Sequence, residues 1–179
     1  LAPEFPLEPG AGSGYVLMLG RINWKKRIEI ALEALKLVDD IRLVIAGDDD
    51  DGLTPALRAR AAALGVQERV DFVGPVAGAA KRRLLREALA LLMPLLSENF
   101  GNSALEAMAS GCPCIVADTG GLREVVPHEE AGLRFRARDP GALANVAVRV
   151  LGDDELGHRL VAEAYEHVRR FDWADIAEQ

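Results

Sequence analysis

Short apolar runs alternate with amphipathic segments along most of the chain. Five runs predict β-strands, at residues 15–19, 41–46, 70–73, 89–93 and 114–117. Most of them are nearly continuous in apolar residues, which is typical of strands buried on both faces of a parallel sheet. A half-exposed antiparallel sheet would instead alternate apolar and polar positions.

The segments between these runs show the periodicity of helices. One helix face is formed by apolar residues at helical spacing, namely Ile28, Ala31, Leu32, Leu35 and Val38. Leu57, Ala61 and Leu64 repeat the pattern before Gly65. Helical stretches are also predicted up to Gly111 and at 140–151 and 154–170. Strands alternating with helices predict an α/β fold, a doubly wound parallel sheet of the Rossmann-like type.

Composition limits the function classes. The chain has 179 residues, of which 50% are hydrophobic, enough for one packed domain at 15–179. Its net charge of −7 argues against nucleic acid or an anionic membrane as a partner. No transmembrane or targeting segment is visible, since the apolar run 88–96 is about half the length of a bilayer span. Residues 1–14, with three prolines and three glycines, predict a linker or hinge.

Cysteine and acidic residues give no sign of a metal centre. Cys112 and Cys114 flank a proline, and no Cys or His cluster has metal-ligand spacing, so a reducing compartment and no metal site are predicted. The acidic run 48–51 is interpreted as a solvated loop because Gly52 and a helical pattern follow it.

Ligands of doubly wound folds bind beyond the carboxyl ends of the strands. The segments expected to meet there are 20–26, 47–48, 74–75, 97–103 and 118–124. In GRINWKK, Gly20 permits close backbone approach, Arg21 offers a planar fork and Lys26 a compact charge, which suits a diphosphate. A solvated basic loop is the open alternative for this segment.

The stretch SENFGNSALE, residues 97–106, places seven residues between Glu98 and Glu106. Ser103 and Glu106 have the spacing of a capping box, which by itself would explain Glu106 as a helix start. It does not explain Glu98. Gly101 lets the amides of 99–102 approach an anion at a helix N-terminus, and carboxylates accept hydrogen bonds from hydroxyls. A ligand with both features is a nucleotide sugar.

These segments carry a family resemblance. In chain order they are GRINWKK, LVIAGDD, RVDFVGPV, MPLLSENFGNSALEAMASGCPCIVAD and TGGLREVV. Together they closely resemble the C-terminal, donor-binding half of retaining GT-B glycosyltransferases of family GT4, also called glycosyl transferases group 1. The resemblance covers about residues 15–173.

The resemblance implies roles for individual residues. Arg21 and Lys26 match the basic pair that binds the donor diphosphate and stabilises it as leaving group. Glu98 matches the glutamate near the donor sugar, and Glu106 the one that binds ribose. The matched donor loop also includes Asn99, Phe100, Gly101, Asn102 and Ser103, of which Phe100 and Gly101 supply backbone N–H groups. Contacts with the base are expected near Gly47 and residues 73–76, which include Val76, mostly through the backbone, while Gly20 belongs with Arg21 and Lys26 to the segment that binds the diphosphate.

The resemblance also implies an activity and its partners. We expect the transfer of a hexosyl group from a UDP-, GDP- or ADP-sugar to an acceptor hydroxyl, with retention of configuration at the anomeric carbon. We expect the reaction to need no cofactor and no metal and to take place in the cytoplasm. An N-terminal acceptor-binding domain would complete the enzyme and could provide a peripheral membrane contact. The open alternatives are a nucleotide-sugar binding module without transferase activity and a related sugar phosphorylase or epimerase. Two residues depart from the family pattern: Arg27 stands where the family commonly has glycine, and Asp49 stands near a position often occupied by a second glycine.

Overall fold

The computed structural model describes residues 14–96 and 101–169. Its strands are β1 (Tyr15–Leu19), β2 (Arg42–Ala46), β3 (Val70–Gly74), β4 (Ala90–Met93), β5 (Cys114–Ala117) and β6 (Leu133–Phe135). Its helices are α1 (Ile28–Leu35), α2 (Thr54–Leu64), α3 (Gly78–Glu87), α4 (Asn102–Ala109), α5 (Leu122–Val125), α6 (Pro140–Leu151) and α7 (Asp154–Val168). Two 3-10 turns, Trp24–Lys26 and Gln67–Arg69, precede α1 and β3.

The strands form one parallel sheet in the order β3-β2-β1-β4-β5-β6. The chain winds outward from β1 to β3, then returns to the other side of β1 with β4 and winds outward again. The order therefore reverses between β1 and β4, which is where ligands bind in such sheets. The predicted doubly wound α/β fold is confirmed, and all six carboxyl ends lie along one edge.

Helices cover both faces of the sheet, each over its own apolar core. On one face α1, α2, α6 and the first half of α7 pack on alternate strand residues, with Leu32, Leu43 and Ile115 fully buried. On the other face α3, α4, α5 and the end of α7 pack on the remaining strand residues, including Leu17 and Leu91. The four central strands β1, β2, β4 and β5 are buried on both sides, as their continuous apolar runs predicted, whereas the edge strand β3 is partly exposed.

The apolar runs predicted the first five strands within one residue at either end. Two elements were not predicted: β6, a three-residue strand with the partly exposed Arg134 at its centre, and α3, in which Leu85 is the one buried residue. Most of the predicted linker, residues 1–13, lies outside the described residues, as do residues 170–179 of the predicted domain. Among the described helices, none has the length and apolar character to cross a membrane.

Candidate functional site

The segment that follows β1 turns back over the end of its own strand. Ile22 is buried, and Asn23 Oδ1 accepts a hydrogen bond of 3.1 Å from Lys25 N, which starts the 3-10 turn. Lys26 ends the turn and is partly buried, and its Nζ lies 3.4 Å from the position that a Cβ on Gly20 would occupy. The turn thus places the Lys26 ammonium over the carboxyl end of β1.

Arg21 and Lys26 both line the edge of the sheet where the strand order reverses. Both contribute to a shallow pocket with Gly20, and β4 and the residues after it supply the opposite wall through Met93 and Leu95. The Arg21 side chain is exposed at the edge. Two cations in the crevice between β1 and β4 suit a ligand with neighbouring negative charges.

Hydrogen bonds attach this basic segment to the loop that follows β4. Leu96 N donates to Lys25 O at 3.1 Å. On the other side Thr119 Oγ1, after β5, donates to Leu95 O at 3.4 Å. The first residues of the loop therefore lie between the segments that follow β1 and β5. The predicted site residues Glu98, Asn99 and Phe100 come next in the chain, outside the described residues.

The ends of β1 and β2 approach each other so closely that only glycine fits. A Cβ on Gly47 would lie 1.9 Å from the carbonyl oxygen of Gly20 and 2.6 Å from its carbonyl carbon. Gly20 N donates to Ala46 O at 2.9 Å, and Ile22 N donates to Asp48 O at 2.7 Å. Gly20 and Gly47, both predicted from the sequence as site residues, are thus neighbours whose backbones form this part of the edge.

Gly101 starts α4 in the left-handed region, with φ 59°. Its Cα is buried against α5, where a Cβ would lie 3.2 Å from Leu122 Cδ2. Both Ala104 N and Leu105 N donate to Gly101 O, so the N–H groups of Asn102 and Ser103 precede the first helical hydrogen bonds. These two N–H groups lie at the positive end of α4, where an anion is stabilised.

The predicted capping box is wrong. Gly101 is the N-cap of α4 and makes no side-chain cap hydrogen bond, so Ser103 is the second residue of the helix rather than its cap. Glu106 lies a turn further along and its Oε1 accepts a 2.7 Å hydrogen bond from Lys81 Nζ on α3. Lys81 belongs to no motif in the sequence, and only the three-dimensional arrangement reveals its contact with Glu106.

Val76 lies in the connection between β3 and α3 and is partly buried against the core of the α3/α4 face. Gly74, which ends β3, has φ 74° and accepts a 2.8 Å hydrogen bond from Gly47 N. Gly47 and the segment that contains Val76 therefore follow neighbouring strands, β2 and β3.

The acidic run 48–51 contains a helix cap. Asp49 Oδ1 and Oδ2 accept hydrogen bonds of 2.8 Å from Leu53 N and Thr54 N at the start of α2. Hydrogen bonds from Thr54, and to a smaller extent from Leu53 and Gly52, hold the pKa of the Asp49 carboxyl below its usual value. The run is an exposed loop with one capping carboxylate, in agreement with its interpretation from the sequence.

Arg27, one of the two departures from the family pattern, has φ 51° and ψ 45°. This left-handed conformation favours glycine, which fits the glycine that the family resemblance implies at this position, and it strains an arginine there. The Arg27 guanidinium forms an ion pair with the Glu29 carboxylate in the first turn of α1.

Comparison with known proteins identifies the family. Residues 5–167 match the family described as "Glycosyl transferases group 1". The chain is 36% identical over 184 residues to the phosphatidyl-myo-inositol mannosyltransferase of Mycobacterium leprae, an alignment that covers 99% of this chain and 48% of the relative. It is 34% identical over 172 residues to the D-inositol 3-phosphate glycosyltransferase of Corynebacterium glutamicum, covering 92% and 41% respectively.

Solved structures share the fold. The Anabaena protein HepE in complex with UDP and glucose superposes with a TM-score of 0.87 and 25% identity, over 94% of this chain and 47% of HepE. The sucrose-phosphate synthase of Thermosynechococcus elongatus superposes with a TM-score of 0.86 and 30% identity, over 98% and 44%. The chain spans about half the length of the curated relatives it matches. By sequence and by fold, it belongs to the glycosyl transferases group 1 family.

Proposed function

We propose that this chain is the donor-binding half of a retaining hexosyltransferase and that it binds a nucleoside diphosphate sugar at the edge between β1 and β4. The observation that carries the proposal is the position of Arg21 and Lys26, which line one pocket at the reversal of strand order. A planar arginine guanidinium and a lysine ammonium at the carboxyl edge between β1 and β4 are suited to the two phosphates of the donor.

The structural neighbours support the ligand class. HepE has been solved with UDP and glucose, and also with UDP-glucose, and its structure superposes on 94% of this chain. In this chain we assign the diphosphate to Arg21, Lys26 and the N–H groups at the start of α4. By family resemblance we assign the sugar to Glu98 and the ribose to Glu106. The base would lie along the backbones of Gly47 and Val76.

The chemistry required of this half is stabilisation of the leaving group. When the bond between the sugar and the diphosphate breaks, negative charge develops on the departing phosphate oxygens. Arg21, Lys26 and the N–H groups of Asn102 and Ser103 would be placed to stabilise that charge, at about 2–4 kcal/mol for each well-placed contact. The proposal includes no metal, because the cations of the site supply the positive charge. A second domain would supply the acceptor, whose hydroxyl takes the hexose with retention.

We also propose that the protein is located in the cytoplasm. Both cysteines are free and buried, and free thiols are usual in a reducing compartment.

A thermal-shift panel tests the proposal. The 179-residue chain is heated with UDP-, GDP- and ADP-sugars, and we expect one nucleotide class to raise the melting temperature through preferential binding to the folded state. Lys26→Ala should reduce the rise. Lys25→Ala is the matched control, since the Lys25 ammonium lies over the Trp24 ring, 5.8 Å from its centroid. No rise with any donor, or an equal rise in the Lys26 variant, would contradict the proposal.

A further inference from the structure

The Lys81–Glu106 ion pair joins two helices on the same face of the sheet. Lys81 is in the first turn of α3 and Glu106 is in the middle of α4, 25 positions later in the chain. Lys81 Nζ donates to Glu106 Oε1 at 2.7 Å. Both helices start at the carboxyl edge of the sheet, so the pair lies beside the proposed donor site.

The ion pair contributes little to holding the two helices together. The side chains of Lys81 and Glu106 are 30% and 42% exposed, and pairs this exposed are screened by water and add little stability. The helices are already fixed by apolar contacts, with Leu85 of α3 and Met108 of α4 each 1% exposed. Tyr15 Oη also donates to Leu84 O of α3 at 2.8 Å.

The geometry leaves half of the carboxylate available to a ligand. The pair uses Oε1 of Glu106, while Oε2 has no hydrogen-bond partner among residues 14–96 and 101–169. A charge-assisted hydrogen bond favours one orientation of the carboxylate before a ligand arrives. The Lys81 ammonium also offsets the repulsion between Glu106 and an approaching diphosphate.

We infer that Lys81 is a positioning residue for the donor nucleotide: it orients the Glu106 carboxylate towards the ribose hydroxyls and offsets its charge. The inference rests on the proposed function, because it requires Glu106 to bind ribose. It adds a residue that no sequence motif indicates and that acts through Glu106 rather than on the ligand.

Another ion pair on α3 provides a matched control. Arg83 Nε donates to Glu87 Oε1, also at 2.7 Å, and this pair lies within one helix. Removing the Arg83 cation changes the charge of α3 as much as removing the Lys81 cation does. The Arg83 cation pairs with Glu87 rather than Glu106, so its loss leaves the Lys81–Glu106 bond in place.

The test is a double-mutant cycle on nucleotide affinity. Isothermal titration calorimetry measures the binding of UDP, GDP and ADP to the unsubstituted chain and to Lys81→Met, Glu106→Gln and the double variant. Lys81→Gln is a second substitution that removes the charge at the same position. Circular dichroism checks that each variant is folded. We expect Lys81→Met to weaken binding about tenfold in the unsubstituted background. With Gln at position 106, the same change should have no further effect, because its action depends on the carboxylate.

Two results would overturn the inference while leaving the proposed function in place. One is a Lys81→Met affinity equal to that of the Arg83→Met control. The other is an equal loss on removing Lys81 in both backgrounds, which would mean that Lys81 acts independently of Glu106. Failure of all three nucleotides to bind the unsubstituted chain would instead refute the proposed function itself, and the inference with it.

Discussion

Substitution of Gly47 by alanine tests the close approach of the two backbones at the ends of β1 and β2. The added Cβ would lie 1.9 Å from the carbonyl oxygen of Gly20, whereas real Cβ atoms essentially never approach within 3.0 Å. Because the clashing atom belongs to the backbone, no side-chain rotation relieves the contact. The ends of β1 and β2 must therefore move apart by at least about 1.1 Å.

The size of the effect follows from the contacts that this movement strains. The hydrogen bonds from Gly20 N to Ala46 O and from Ile22 N to Asp48 O, 2.9 and 2.7 Å long, join the two segments that must separate. Overpacking of this kind costs about 1–3 kcal/mol, and a weakened backbone hydrogen bond about 1 kcal/mol. We expect Gly47→Ala to lower the free energy of unfolding by about 2–4 kcal/mol.

Urea denaturation followed by far-UV circular dichroism measures the change. Gly157→Ala is the matched control, since Gly157 lies inside α7 and the nearest atom to an added Cβ, Val150 O, is 3.9 Å away. There alanine should stabilise the helix by about 0.5–1 kcal/mol. If the Gly47→Ala variant had the same free energy of unfolding as the unsubstituted chain, the described close approach of the two strand ends would be contradicted.

Three further predictions concern other parts of the domain. Lys26→Ala in the complete enzyme should lower turnover about a hundredfold, because the leaving group loses a cation; unchanged turnover in a steady-state assay would exclude that role. Asp49→Ala should lower the melting temperature at neutral pH. Because the pKa of Asp49 is lowered in the folded state, its stabilisation is present above the unfolded pKa of about 3.9 and is lost as pH falls below it. The gap between variant and unsubstituted chain should therefore close in melting curves recorded towards pH 2, and a gap independent of pH would contradict the cap. Burial raises the pKa of Cys112 to about 12 and that of Cys114 well above its usual value, so both thiols should react with a chromogenic disulfide reagent only after unfolding; reaction in the native chain would show that they are accessible.

The fold was predictable because the central strands are buried on both faces. Continuous apolar runs gave β1–β5 within a residue, and the spacing of Ile28, Leu32 and Leu35 gave the buried face of α1. The position of Arg21 and Lys26 followed from topology alone, since any segment after β1 of a doubly wound sheet lies at its carboxyl edge.

Features that depend on tertiary contacts were not predictable in the same way. The three residues of β6 are held by pairing with β5, and half of the residues of α3 are charged, with Leu85 as its one buried residue. The spacing of Ser103 and Glu106 fits a capping box, but Gly101 adopts the left-handed conformation and starts the helix two residues earlier. Glu106 is thereby left to pair with Lys81, a contact that no local pattern encodes.

The most direct test of the central claim compares a nucleoside diphosphate with its monophosphate by calorimetry. If Arg21 and Lys26 bind the diphosphate at the edge between β1 and β4, the nucleotide selected by the thermal-shift panel should bind at least about tenfold more tightly as diphosphate than as monophosphate. In the double variant Arg21→Ala/Lys26→Ala the two affinities should become nearly equal. Equal affinities in the unsubstituted chain, or a preference for the diphosphate that persists in the double variant, would contradict the account.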